Sequence, residues 1–196
     1  ANSPLLKDAG RLPKTEKFLR EAFFRVQKQL NAQHRMAVLI KGPRRVGKTE
    51  IQKQLILELV NEKRIAPERV LYLSLDDVQI QAENPKNRWR MVNGLLDTWA
   101  HLLGFNAYDG IDVPAYCFLD EVQTVENWAT LVKNRVDRNP HVRIVLSGSA
   151  AHSIFQKSLQ TLLGRVISEE LTTFSFREFI QFKFPSVLPD INTIHH

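Results

Sequence analysis

Met36-Ala37-Val38-Leu39-Ile40-Lys41-Gly42-Pro43-Arg44-Arg45-Val46-Gly47-Lys48-Thr49 sets the terms for the whole 196-residue chain. Its first five residues are a continuous apolar run, the pattern of a parallel strand buried on both faces. The last eight satisfy G-x-x-x-x-G-K-[ST] without a mismatch. Beyond them Ile51, Leu55, Ile56, Leu59 and Val60 recur at helical spacing. A strand, a glycine loop and a helix in that order form a phosphate cradle. Backbone N–H groups of the loop and of the helix N-terminus converge on the anion, and the helix dipole favours its charge. Gly42 and Gly47 permit backbone angles and close approach that a side chain would block. The binding set is therefore Gly42, Pro43, Arg44, Arg45, Val46, Gly47, Lys48 and Thr49, with Glu50 beside it. Lys48 carries charge to the β- and γ-phosphates, and the Thr49 hydroxyl ligates Mg²⁺.

A Mg²⁺-dependent site of this kind needs an acid on a neighbouring strand. Residues 115–119 form an apolar strand running directly into Asp120-Glu121. Asp120 stands where a Mg²⁺-organising acid belongs. Extended geometry would turn Glu121 to the other side of the chain, where it can orient the attacking water. Ser147 and Ser149 close the next strand, 142–146, in a place suited to sensing the γ-phosphate. Asp76 and Asp77 end the strand 70–75, as acids expected to be solvated. Arg165, after Gly164, is the candidate for neutralising transition-state charge. The chain has no Asn-Lys-x-Asp guanine-reading run, which favours ATP over GTP.

The rest of the chain alternates in the same way. Helices are expected over 15–32, around Val92 to Leu103 and around Trp128 to Val136. A further one begins near Ser175, where Ser175 and Glu178 make a capping box. A fifth strand is expected at 166–168. Strand–helix alternation predicts an α/β fold with a parallel sheet covered by helices on both faces.

Composition sets outer bounds. Hydrophobic residues make up 43% and charged residues 24%, enough for one sizeable core. The six histidines lack metal-ligand spacing, and Trp89, Trp99 and Trp128 fall on or beside apolar helix faces. The single Cys117 sits inside an apolar strand and reads as a small buried hydrophobe. One cysteine, no secretory signal and no apolar run near 20 residues together predict a cytoplasmic protein without a membrane segment. Net charge is +6, and residues 1–53 alone carry thirteen Lys/Arg against four Asp/Glu. That basic segment is a candidate contact for nucleic acid or an anionic protein partner.

Taken together, 38–49, Phe118-Leu119-Asp120-Glu121-Val122-Gln123 with Trp128, Leu146-Ser147-Gly148-Ser149, Leu163-Gly164-Arg165 and Phe174-Ser175-Phe176-Arg177-Glu178-Phe179 come in a recognisable order. The chain resembles the prokaryotic AAA-type ATPases over residues 15–183. The resemblance implies a three-layer P-loop NTPase fold with a mostly parallel five-stranded sheet. A strand inserted between the loop and Asp120, followed by Glu121, marks the branch holding AAA+ and RecA-like ATPases. It implies an ATP hydrolase with ATP and Mg²⁺ as cofactors and Thr49 and Asp120 on the metal. Lys48, Glu121, Ser149 and Arg165 would be catalytic, with Gln123 nearby. Residues 1–14 would be a flexible arm, 15–183 the ATPase core, and 184–196 a tail or the start of a C-terminal lid, winged-helix or nuclease-like region. Glu50 departs from the small residue many members have there. ATP turnover would drive a conformational switch, and a second copy of the chain, in a homo-oligomer, is a candidate partner. The alternative is a nucleic-acid-binding module whose ATP site is regulatory or vestigial.

Overall fold

A computed structural model describes residues 18–32, 36–104, 114–138, 141–149 and 153–185. The arm at 1–14 and nearly all of the 184–196 tail lie outside the described residues, as do residues 15–17 of the expected first helix. Helix α1 (Glu21–Asn31) leads into β1 (Ala37–Gly42), then α2 (Lys48–Leu57), which continues as a π-turn over Glu58–Glu62. Strand β2 (Val70–Ser74) is followed by α3 (Val78–Ala82) and α4 (Pro85–Leu102). Next come β3 (Ala115–Asp120), α5 (Trp128–Arg138), β4 (Val142–Ser149), α6 (Ser153–Thr161), β5 (Val166–Glu170) and α7 (Phe176–Lys183).

The sheet has five strands in the order β2-β3-β4-β1-β5, and every pairing is parallel. Pleating splits each central strand between two cores. On one face Ala37, Leu39, Cys117, Leu119, Ile144 and Leu146 pack with Leu96, Trp128 and Phe155. On the other, Val38, Ile40, Phe118 and Val145 pack with Phe23, Val26, Ile51 and Leu55. The three layers are therefore helix, sheet and helix, as expected. Burial in apolar surroundings pushes the Cys117 thiol up to about 12, so it stays a neutral core side chain.

Helices α3 and α6 are not evident from periodicity. Strand β4 also runs further than the sequence predicts, through Ser147-Gly148-Ser149, in register with Ile40, Lys41 and Gly42. A Cβ at Gly148 would run into the Phe155 ring and lie 3.2 Å from Gln123 Oε1. Glycine here permits close packing rather than a turn. The exposed edge strand β5 extends to Glu169 and Glu170, which pair with Arg25 and Lys41. Charge on an edge discourages pairing with another chain. Among the described residues no helix is long and apolar enough to cross a membrane.

Candidate functional site

Parallel strands place all their C-terminal ends on one edge, and β1 lies between β4 and β5 although neither precedes or follows it directly. Such a switch in strand order opens a crevice at that edge. Residues 43–47 leave β1 into it. Gly47 has φ 100°, and α2 begins at Lys48 without any side-chain cap. Its first N–H groups therefore remain available to an anion. Gly42 sits against the β5–α7 connection, where a Cβ would strike the Leu171 carbonyl oxygen. Pro43, Arg44 and Arg45 are exposed, Arg45 with a positive φ of 63°, and Val46 is half-buried.

Lys48 is buried, and its Nζ donates to the carbonyls of Pro43 at 2.7 Å and Gly42 at 3.3 Å. It lies 3.9 Å from Glu121 Oε1. Thr49 Oγ1 donates to Asp120 Oδ2 at 2.6 Å, joining residues 71 positions apart in the chain. Asp120 is only 2% exposed. A buried carboxylate needs donors, and it receives three hydroxyls. Besides Thr49, Tyr72 donates to Oδ2 at 3.1 Å and Ser147 donates to Oδ1. Burial first, then the Asp120 charge, hold the Tyr72 hydroxyl well above its usual pKa, so it stays a proton donor.

Glu121 reaches the site by a route other than strand alternation. It lies past the end of β3 in left-handed conformation, φ 56° and ψ 48°. That geometry costs a non-glycine residue on the order of 1 kcal/mol or more. Its N–H donates to Ser147 Oγ at 3.1 Å, and Gln123 Nε2 donates to its carboxylate. Gln123 Oε1 in turn accepts from the Ser149 N–H at 3.2 Å. Gln123 thus ties Glu121 to the end of β4. Ser147, rather than Ser149, touches Asp120.

Arg165 stands apart from the phosphate loop of its own chain. Its carbonyl accepts the N–H of Ala37 at 2.8 Å, which puts it at the opposite, N-terminal end of β1. Six residues of strand separate it from the loop, roughly 20 Å. There its Nε donates to Asp137 at 2.7 Å at the surface. A parallel strand can carry its C-terminal end to the site but not the residue that precedes it. Glu50 is exposed in the first turn of α2. Asp77 caps α3 by accepting from the Gln79 N–H, and Asp76 accepts from Ser74, so both serve local structure.

Sequence reading misses Tyr72, Gln52 and Arg20. Gln52, one turn after Lys48, donates to the Leu119 carbonyl at 3.4 Å. Arg20 offers no distinct signal, being one of several cations, Lys17, Arg25 and Lys28 among them, along the first amphipathic segment.

Fold and edge together define a class, the α/β nucleotide-binding domains with a phosphate loop and a partner acid on an adjacent strand. A family model described as an AAA domain matches residues 34–180, and the chain belongs to that family. It is thus a nucleotide-binding, ATPase-type domain. Among curated relatives, the uncharacterized protein MJ1544 of Methanocaldococcus jannaschii is 28% identical over 156 residues, 80% of this chain and 31% of that one. An uncharacterized protein of Haemophilus influenzae is 25% identical over 146 residues, 74% of this chain and 33% of the other. The chain spans about a third of the length of these curated relatives. The Hsp104:casein complex of S. cerevisiae contains a similar fold, TM-score 0.54 at 13% identity, over 90% of this chain and 30% of that one. A DNA polymerase III gamma subunit-related protein of Thermotoga maritima gives 0.50 at 14%, over 83% and 50%. At those identities the likeness concerns fold alone.

Proposed function

We propose that this domain binds ATP with Mg²⁺ and hydrolyses it to ADP and phosphate, as the ATPase core of a longer protein. The observation that carries the reading is the 2.6 Å contact between Thr49 Oγ1 and Asp120 Oδ2 beside the Lys48 ammonium. Mg²⁺ in nucleotide sites typically takes one or two protein oxygens and fills the rest of its shell with phosphate and water. Thr49 and Asp120 are oxygen donors of that type and number. When bound, the ion neutralises charge on the β- and γ-phosphates.

The remaining chemistry belongs to the chain's own side chains. Lys48 gives up its loop carbonyls for the phosphates, gaining a charge-assisted contact. Glu121 orients the attacking water and accepts its proton, with Gln123 holding the carboxylate. Ser149, coupled to Glu121 through Gln123, registers the γ-phosphate. Loss of that phosphate frees Lys48 and Glu121 to re-pair, the local event of a conformational switch. Arg165 lies at the far edge of its own sheet. Any part it takes in hydrolysis therefore requires a second copy of the chain, in a homo-oligomer.

The test is thermal unfolding with Mg·ATP, Mg·GTP and neither, for the wild type and Lys48→Ala. At 100 times Kd, bound nucleotide stabilises by about 2.7 kcal/mol, which for a domain of this size raises Tm by roughly 5–10 °C. The expected result is a shift with Mg·ATP, a smaller one with Mg·GTP, and none in Lys48→Ala. No shift with either nucleotide would overturn the proposal. Salt-dependent affinity for nucleic acid, set by phosphate contacts, would then become the measurement of interest.

A further inference from the structure

Arg20 stands just before α1 and is buried, yet it touches three separate parts of the molecule. Nε and Nη2 donate to the two carboxylate oxygens of Glu178 at 3.0 and 2.9 Å. Nη1 donates to the Val46 carbonyl of the phosphate loop at 2.9 Å and to the Thr172 carbonyl at 3.0 Å. Nη2 also donates to the Thr173 carbonyl at 3.1 Å. All five guanidinium N–H groups are thereby used. The guanidinium lies 4.8 Å from the centroid of the Phe174 ring, which packs with Phe18 and Phe182 at 5.7 Å. Glu178 is equally saturated, accepting the backbone N–H of Ser175 at 2.9 Å and of Glu21 at 3.3 Å. The same carboxylate closes the capping box that starts α7.

We infer that Arg20 is a positioning residue for the phosphate loop, and that through it the shape of the loop and the seating of α7 depend on each other. A trans peptide is planar, with its C=O and N–H pointing in opposite directions. Holding the Val46 carbonyl therefore aims the Gly47 N–H away from Arg20 and sets the plane of the peptide leading into α2. The other end of the same rigid fork is fastened to Glu178 on α7. Movement of the loop on nucleotide binding strains that fork unless α7 moves with it. By linkage, whatever reseats α7 changes nucleotide affinity by the same factor. Lysine cannot replace the fork, because an ammonium has three donors and no planar geometry.

This inference rests on the proposed nucleotide site, and the experiment separates the two. Mg·ATP affinity is measured by calorimetry for the wild type, Arg20→Lys and Glu178→Gln, under conditions where circular dichroism shows each folded. Hydrogen exchange across 176–183 is followed in the wild type with and without Mg·ATP. The expected result is slower α7 exchange with Mg·ATP and affinity weakened about tenfold in both variants, inside the range usual for coupled sites. A merely structural role would lower Tm and leave Kd alone. Wild-type binding with unchanged variant Kd, or with no exchange response in α7, overturns the inference and spares the nucleotide site. Absence of wild-type binding overturns both.

Discussion

Helices α2 and α7 begin in opposite ways. At α7, Ser175 accepts the Glu178 N–H at 3.2 Å and Glu178 accepts the Ser175 N–H, so the helix satisfies its own first turn. At α2 the N-cap is Gly47 in left-handed conformation, with no side-chain cap. Both helices leave orphan N–H groups in principle, but of the two only α2 has no side chain capping them. One start is closed by its own residues and the other is open by design of the loop. Rules of local structure are broken where function needs them broken. Arg20 joins the two starts, with Val46 on one side and Glu178 on the other.

The strongest way to break the contrast is to remove the carboxylate that serves both the cap and Arg20. Glu178→Ala leaves a buried guanidinium unpaired, and loss of one partner from such a pair costs about 3–5 kcal/mol. Urea unfolding should report a lower midpoint with nearly unchanged slope. A pH series sharpens the result. Burial alone pushes the Glu178 carboxyl up, but the Arg20 hydrogen bonds, followed by the Ser175 N–H, outweigh it and hold the pKa below the ordinary 4.5. A depressed folded value means that stability is fully present above 4.5 and is lost as pH falls through the folded value. The advantage of wild type over Glu178→Gln should therefore shrink as pH falls below that point. An advantage that grows in acid would contradict the assignment.

At the open start, Gly47→Ala meets no atom within 4 Å of the added Cβ, so sterics with neighbours are not the obstacle. The obstacle is φ 100°, since left-handed backbone costs an L-residue roughly 1–2 kcal/mol. Both stability and Mg·ATP affinity should fall. At the closed start, Ser175→Ala should cost about 1 kcal/mol of stability while Mg·ATP affinity stays within twofold. Equal affinity losses in both variants would erase the distinction between the helices. The smallest expected effect is that of Arg165→Ala. Its position at the far end of β1 predicts unchanged Mg·ATP binding per chain, checked by calorimetry.

Much of this edge was legible in the residues. The phosphate loop, Asp120 at a strand end and the Ser175/Glu178 box are short-range patterns, in which chemistry follows from spacing along the chain. Parallel strands then bring the loop, Asp120 and Ser147 together, because each stands at a C-terminal strand end. Spacing along the chain says less where a side chain's place depends on the path between elements. Arg165 shares the glycine-flanked look of a site residue but precedes its strand. Glu121 sits near Lys48 through a left-handed turn that no alternation rule supplies.

What the sequence by itself determined is the local chemistry, an open helix start, a lysine and a hydroxyl, set by a few consecutive residues. The tertiary structure alone decided which distant groups complete it. Tyr72 on Asp120, Gln123 between Glu121 and Ser149, and Arg20 between Val46 and Glu178 join residues far apart in sequence or across loops. Burial is the physical reason. A polar group taken from water must find a partner, and which partner lies within reach is settled only when the layers close.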